Sequence, residues 1–190
     1  MVKNELSAAD KSYLLILARE SITRAVRREP LPEIPLSSLS PDLQKVGASF
    51  VTLTQNGALR GCIGALEAYQ PLVEDVREHA VAAAQEDYRF PPVQPIEVPG
   101  IRIEISRLTI PQMLEYSDAE DLIQKLHPGL DGVILRDGGR RATFLPQVWE
   151  QVPDPEEFLS HLCLKMGAGG NLWRQKKLGV QVYQVEEFHE

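Results

Sequence analysis

The sequence predicts an α+β fold, in which helices and antiparallel hairpins follow one another without a regular alternation. Two hairpin signals carry this prediction, Asn56-Gly57 and Asp137-Gly138-Gly139, each lying between runs of strand-forming residues. Helical patterns separate the hairpins, with apolar residues at every third or fourth position from 8 to 28, from 71 to 86 and from 155 to 167. A strict strand–helix–strand rhythm would instead have indicated a parallel sheet.

Length and composition are those of an ordinary globular domain. The 190 residues are 43% hydrophobic and 25% charged, which is enough apolar material for one sizeable core, and we treat residues 1–190 as one domain. Twenty basic residues against 27 acidic residues give a net charge of −7. A chain with this charge does not attract a phosphate backbone as a whole, so nucleic-acid binding is the least expected function.

The cysteines and the lack of long apolar runs indicate the cellular setting. Cys62 and Cys163 show no paired spacing and no regular Cys/His cluster, which argues against a disulfide framework and a structural zinc site. Charged residues interrupt the N-terminal apolar run, so no signal peptide is expected, and nowhere do about 18 apolar residues follow one another. We therefore expect a cytoplasmic protein with no membrane segment and no metal site, and the sequence does not identify which cofactor, if any, the protein uses.

The first helix begins at a capping signal, Ser7 followed three residues later by Asp10, and is predicted to continue to about Arg28. Its inward stripe consists of apolar residues at helical spacing: Leu14, Leu17, Ala18, Ile22 and Ala25. Four prolines between residues 30 and 41 then argue against a regular helix or a central strand, and predict an extended loop over the surface.

The hairpin around Asn56-Gly57 contains the most informative stretch of the chain, Leu59-Arg60-Gly61-Cys62-Ile63-Gly64. With a two-residue turn and regular pairing, Arg60 lies opposite Leu53 and Cys62 lies opposite Val51. Arg60 and Cys62 are then on one face of the hairpin, about 7 Å apart along the strand. Glycine is a poor strand former, so the two glycines beside Cys62 predict a bulge, a bend or a close approach of another group to the backbone.

A helix from about Pro71 to Glu86 follows the hairpin, and its His79 is expected to be a packed or surface residue. The helix ends in a proline-rich connection that contains Asp87 and Arg89. These two residues either clamp a ligand or form a local ion pair that fixes the loop, and we favour the ion pair. Beyond Pro99, isoleucines alternate with polar residues from 101 to 106, which predicts a half-buried strand of an antiparallel sheet.

The second half of the chain repeats this mixture of elements. A capping box at 117–120 predicts a short helix to Leu126, followed by the second hairpin and by a helix that begins after Asp154. On that last helix Cys163 falls in the buried stripe, whereas Lys165 lies on a flank. His127 either carries protons beside a flexible turn or closes the C-terminus of the short helix, and we favour the closing role. A final strand is predicted from Val180 to Phe188.

Several of these segments resemble the AMMECR domain family. The stretch from Leu59 to Gly64 matches the six-residue signature of that family, and Asp87-Tyr88-Arg89-Phe90 resembles a second block in which Tyr88 replaces a proline. A third block covers residues 127–149, and Lys165-Met166-Gly167 resembles a Lys-Ala-Gly motif of the family. The resemblance extends from about residue 8 to 188 and implies an antiparallel-rich sheet flanked by helices in two unequal subdomains.

The resemblance also implies partners. Bacterial members of the family look like protein A of the AmmeMemoRadiSam system, and they are encoded near, or joined to, a Memo-type dioxygenase-like protein and a radical SAM protein. A pathway shared with those proteins, entered through a cleft at the Leu59–Gly64 hairpin, is therefore the first functional hypothesis. No cysteine spacing in this chain fits an iron–sulfur cluster, so any redox metal of the pathway would belong to a partner.

A second hypothesis is a cysteine-dependent enzyme that acts on a small substrate. Cys62 is then the candidate nucleophile, and Arg60 stabilises its thiolate or anchors a carboxylate of the ligand. The base must come from elsewhere in the fold, with His127, His161 and Lys165 as candidates. The alternative for Cys62 is a small buried residue that only packs.

The remaining candidate site residues are expected to bind a ligand rather than to react with it. Gly61 and Gly64 leave room for an approach to the backbone, and Arg89 offers a guanidinium beside the hairpin. A third hypothesis, a nucleic-acid-associated regulator, has been suggested for eukaryotic relatives, but the acidic balance and the lack of a known binding motif disfavour it.

Overall fold

The computed structural model describes residues 5–190, which form two compact units. The first unit contains the chain up to Thr109 together with Glu186–Glu190, and the second unit is Ile110–Val185. Each unit combines an antiparallel sheet with helices and has a hydrophobic core of its own. The predicted α+β class and the two unequal subdomains are therefore confirmed.

The sheet of the first unit contains the hairpin with the signature stretch. Its strands are β1 (Val46–Gln55), β2 (Ala58–Gly64), β3 (Gln70–Pro71), β4 (Ile101–Leu108) and β9 (Val185–His189). The order is β2-β1-β4-β9, and the short β3 pairs with the start of β1. Because β2 stands at one end of this order, the signature stretch forms an edge strand.

Two long helices supply the rest of the first core. They are α1 (Ala8–Val26) and α3 (Leu72–Gln85), whereas the short α2 (Pro41–Gln44) lies in the proline-rich segment. The hydroxyl of Ser7 accepts a hydrogen bond from the backbone N–H of Asp10, as the capping signal predicts, and the helix ends before Arg28, whose φ is 59°. The buried stripes of both helices and of the central strands meet in one cluster: Leu14, Leu17, Ile22, Val73, Val76, Ala80, Val51, Leu53, Ile103 and Ile105.

The hairpin register differs from the prediction at one point. The pairs next to the turn are as predicted, but Leu53 pairs with Gly61, so Arg60 is an extra residue that forms a β-bulge. Every later pair is shifted by one residue, and a shift of one residue turns each side chain to the opposite face. Cys62 therefore lies opposite Thr52, and the predicted face shared by Arg60, Cys62 and Leu53 is wrong.

The second unit has a sheet in the order β5-β8-β6-β7. Its strands are β5 (Gln112–Met113), β6 (Gly132–Asp137), β7 (Arg140–Phe144) and β8 (Gly179–Tyr183), and its helices are α4 (Ala119–Lys125), α5 (Pro155–Lys165) and α6 (Leu172–Gln175). The predicted hairpin is the pair β6–β7, closed by Gly138-Gly139. The predicted final strand is in fact two strands, since β8 belongs to this sheet and β9 to the first one.

The core of the second unit forms between its sheet and α5. The ring of Trp149 stacks on Phe158 with centroids 3.7 Å apart, and Cys163 is completely buried among the same residues, which confirms its packing role. The N-terminus of α5 is capped by Asp154 as predicted, whereas α4 is capped by Asp118, inside the predicted capping box. None of the helices in residues 5–190 has the length and the apolar character that crossing a bilayer requires.

Candidate functional site

The candidate site is built on the edge strand β2 and the loop that follows α3. Cys62 is half-buried near the end of β2, and its Sγ accepts a hydrogen bond from the hydroxyl of Thr52 at 3.3 Å. Thr52 is the residue directly opposite on β1, so the shifted register creates this contact. The thiol is free, and its hydrogen-bond donor is a hydroxyl, which is not a base at neutral pH.

The two glycines beside Cys62 are required by close packing. A Cβ atom on Gly61 would lie 2.1 Å from the carbonyl oxygen of Ala83 in α3. A Cβ atom on Gly64 would lie 2.4 Å from the ring of Phe50 and from a backbone oxygen of β1. The bulge and the close approaches predicted from these glycines are thus both present, but the approaching groups belong to the protein itself.

Asp87 and Arg89 clamp the loop onto Cys62. The carboxylate of Asp87 accepts hydrogen bonds from Nε of Arg89 at 2.9 Å and from Nη2 at 2.6 Å, and a third from the backbone N–H of Cys62 at 2.8 Å. Nη2 of Arg89 also donates to the carbonyl of Cys62 at 3.1 Å. The favoured interpretation of these two residues, an ion pair that fixes the loop, is confirmed.

The environment of Asp87 favours its charged form. Its side chain is nearly buried, and burial alone would raise the pKa of a carboxyl group. Hydrogen bonds from Arg89 and, to a smaller extent, from the backbone N–H of Cys62 outweigh this effect and hold the pKa of Asp87 well below its usual range. The clamp is therefore a charged pair at neutral pH, in which both oxygens of the Asp87 carboxylate accept hydrogen bonds.

A second clamp lies two residues earlier on β2. Arg60, the bulge residue, binds the carboxylate of Glu97 through Nε at 2.8 Å and through Nη2 at 3.1 Å. The same carboxylate accepts the backbone N–H of Gln94, and Arg60 is the main cause that lowers the pKa of Glu97. The guanidinium that we expected to anchor a ligand therefore already holds a carboxylate of the protein.

Between the two clamps the loop presents apolar side chains to solvent. Tyr88 is 94% exposed and Ile96 is 88% exposed, although each is a direct neighbour of a clamped residue. Leu59, which precedes Arg60 on β2, is also exposed. Sequence reasoning missed this surface, and the only signal for it was an aromatic and an aliphatic residue in a proline-rich segment, where a core role is hard to assign.

Comparisons with known proteins agree with this architecture. The family model described as AMMECR1 matches residues 15–188 of the chain. The chain belongs to the AMMECR1 family.

Members of the AMMECR1 family from archaea resemble the protein over almost its full length. A protein of Thermofilum pendens is 37% identical, with 97% of this chain and 92% of that protein covered, and Protein MK0488 of Methanopyrus kandleri is 35% identical, with 98% and 91% covered. The crystal structure of the uncharacterised protein PH0010 from Pyrococcus horikoshii matches with a TM-score of 0.77 and 33% identity. That match covers 97% of this chain and 93% of the solved chain.

Two further candidate residues of this AMMECR1-family protein lie in the second unit. His127 follows α4 and does not close it, since its backbone N–H and its Nδ1 both contact the buried carboxylate of Asp131, at 2.9 and 3.0 Å. Its ring is 68% exposed. Nζ of Lys165 donates to the carbonyl of Thr143 at 2.9 Å and lies 4.9 Å from the ring of Phe144. Each residue thus makes a local contact within its own unit.

The first unit contains one more polar cluster that sequence reasoning missed. The buried carboxylate of Asp75 accepts a hydrogen bond from the hydroxyl of Ser49 at 2.6 Å and contacts Nδ1 of His79 at 3.1 Å. His79 is buried, which agrees with the expectation of a packed residue. Across residues 5–190, no three His, Cys, Asp or Glu side chains are grouped closely enough to hold a metal ion.

Proposed function

We propose that this AMMECR1-family protein is a binding component of a pathway that it shares with a Memo-type dioxygenase-like protein and a radical SAM protein. The docking surface is the loop from Asp87 to Glu97 together with β2, and we call it the clamped loop. One observation carries the proposal: two guanidinium–carboxylate clamps fix both ends of this loop on β2, while Tyr88 and Ile96 between them remain 94% and 88% exposed.

Exposed apolar side chains on a fixed backbone suit protein recognition. Tyrosine and arginine are enriched among the residues that dominate binding energy at interfaces, and an ordered loop loses little conformational entropy when a partner binds. Several other large apolar residues of the first unit are partly exposed, but among those described Tyr88 and Ile96 have the most exposed side chains. A partner surface that covers Tyr88 and Ile96 would remove both apolar side chains from water, which accounts for their exposure in the unbound chain.

The contacts at Cys62 and Arg60 favour binding over cysteine-dependent chemistry. A nucleophilic thiol requires a base, and the hydrogen-bond donor to the Cys62 sulfur is the hydroxyl of Thr52. The guanidinium of Arg89 contacts the carbonyl of Cys62 but is already paired with Asp87. The guanidinium of Arg60, which was the candidate activator, is engaged by Glu97 on two of its nitrogens. These residues therefore support the shape of the clamped loop in the proposed function.

Isothermal titration of the purified chain with the Memo-type protein and with the radical SAM protein of the same organism tests the proposal. We expect the double variant Tyr88→Ser/Ile96→Ser to bind at least one of them about tenfold more weakly or worse. Ile16→Ser is the matched control, because Ile16 is an exposed isoleucine of α1 in the same unit. Absence of binding by the unmodified chain, or equal affinities of all variants, would overturn the proposed function.

A further inference from the structure

The guanidinium of Arg89 has some N–H donors that are hydrogen-bonded within the protein and others that are not. Nε and Nη2 are bound to Asp87, and Nη2 also reaches the carbonyl of Cys62. Nη1 makes no hydrogen bond with any residue in the described part of the chain, 5–190, and 43% of the side chain is exposed. The two N–H donors of Nη1 thus have no acceptor among residues 5–190, and the guanidinium lies over the ring of Phe90, 5.6 Å from its centroid.

The charge of this clamp is arranged asymmetrically. The carboxylate of Asp87 is only 2% exposed, and its oxygens are occupied by Arg89 and by the backbone of Cys62. The negative group of the pair therefore faces inward and the positive group faces solvent. Because Asp87 holds the guanidinium in place, an outside acceptor would find the donors already oriented, at little cost in side-chain entropy.

From this asymmetry we infer the chemistry of the partner, an inference that rests on the proposed function. The partner places an Asp or Glu carboxylate against Nη1 of Arg89, beside an apolar surface that covers Tyr88 and Ile96. Carboxylate and guanidinium form short, charge-assisted hydrogen bonds, and a rigid arginine flanked by apolar contact is the usual composition of an interface centre.

A protein carboxylate fits this surface better than a free phosphate. Phosphate is normally held by several converging donors, such as backbone N–H groups at a helix start or a cluster of arginines. The clamped loop offers the outward donors of Arg89, while the guanidinium of Arg60 at its other end is bound to Glu97. Next to Arg89 on the loop, Tyr88 is 94% exposed and Phe90 is half-buried, and this apolar surface favours a partner with an apolar surface over a hydrated anion.

The test is the salt dependence of binding to the Memo-type and radical SAM proteins, measured by titration from low to high NaCl for three forms of the chain. We expect Arg89→Gln to bind about tenfold more weakly at low salt and to lose affinity less steeply with salt than the unmodified chain. Arg60→Gln is the matched control: it removes one positive charge and breaks the other clamp, but it leaves Nη1 of Arg89 in place. We expect Arg60→Gln to keep the salt dependence of the unmodified chain even if its affinity falls.

The titrations distinguish three cases: a partner carboxylate bound by Arg89, a site for free anions, and no binding to either protein. Binding whose salt dependence is the same in Arg89→Gln as in the unmodified chain would overturn the carboxylate inference and leave the proposed function standing. Inorganic phosphate that competes with the partner more strongly than NaCl of equal ionic strength would indicate an anion site and would also overturn the inference. If the unmodified chain binds neither protein, both the inference and the proposed function are wrong.

Discussion

The carboxylate of Asp87 accepts a hydrogen bond from the backbone N–H of Cys62 at 2.8 Å. In an edge strand such an N–H is otherwise free to pair with another strand, which is a route to aggregation. Arg89 occupies the carbonyl of the same residue, so two side chains take the place that a further strand of the sheet would have. The clamp therefore ends the sheet at β2 and fixes the loop in one step.

Replacing Asp87 with asparagine should lower the free energy of unfolding by about 2 to 3 kcal/mol at pH 7, because charge-assisted hydrogen bonds to a buried group are lost. The folded pKa of Asp87 lies below the unfolded value of about 3.9. Its ionised form therefore stabilises the fold fully above that value, and the stabilisation is lost as the pH falls through the folded pKa. The free energy of unfolding, measured with urea, should therefore fall less from pH 7 to pH 2 in the variant than in the unmodified chain.

Asp42→Asn is the control for this experiment. Asp42 also has a lowered pKa, mainly through its hydrogen bond with Lys45, but both side chains are exposed. Exposed pairs of this kind contribute about 0 to 1 kcal/mol, so the control should stay close to the unmodified chain at pH 7. A stability loss in Asp87→Asn no larger than that in Asp42→Asn would contradict the clamp.

Gly61→Ala should destabilise the protein by about 3 kcal/mol or more, because the added Cβ would lie 2.1 Å from a backbone oxygen of α3 that has no rotamer to change. Gly100→Ala is the matched control, since its Cβ would meet only the side-chain amide of Gln55, at 3.6 Å. Thermal unfolding of the two variants should therefore separate them clearly. Equal melting temperatures would mean that β2 and α3 move apart at little cost.

The two thiols should differ in their reaction with iodoacetamide. Cys62 is partly accessible at the sheet edge, whereas Cys163 is completely buried and burial raises the pKa of its thiol. We expect mass spectrometry of the native protein at pH 8 to find the label on Cys62 first, and on Cys163 only after denaturant is added. Early labelling of Cys163 would show that the core of the second unit opens readily.

The sequence predicted the local elements well, because their signals lie within a few residues. The turn at Asn56-Gly57, the cap at Ser7 and the alternation of isoleucines in β4 all appear where they were expected. The register of the hairpin was not predictable in the same way, since nothing in the sequence distinguishes Arg60 as a bulge residue from its neighbours. The close approach of α3 to Gly61 explains the bulge only after the fold is known.

The contacts of the candidate site were harder to predict because they join distant parts of the chain. Arg60 and Glu97 are 37 positions apart, and Asp87 and Cys62 are 25 apart, and no local pattern specifies either pair. Asp87 and Arg89, only two positions apart, were the one clamp that the sequence did indicate. The spacing of residues shows which groups can meet within one element, but the partners across a fold depend on its topology.

Arg60 has a structural role in the clamped loop, which a stability measurement separates from a ligand-binding role. From the sequence we expected Arg60 to stabilise the Cys62 thiolate or to anchor a carboxylate of a ligand. In the structure its guanidinium is mostly buried and binds Glu97 through two hydrogen bonds. Arg60→Ala should therefore lower the free energy of unfolding by about 1 to 3 kcal/mol, because a partly buried carboxylate loses its partner.

A double-mutant cycle with Glu97→Gln measures the interaction directly. If the two residues stabilise the loop mainly through each other, the double variant should lose less free energy of unfolding than the two single variants lose in sum. We expect the difference to be about 1 kcal/mol. Arg24 and Glu20, an exposed pair on α1, provide the reference cycle, for which a coupling of only a few tenths of a kcal/mol is expected. A coupling for Arg60 and Glu97 no greater than this reference would mean that the guanidinium is free to leave Glu97, and the role of Arg60 as a ligand anchor would then regain support.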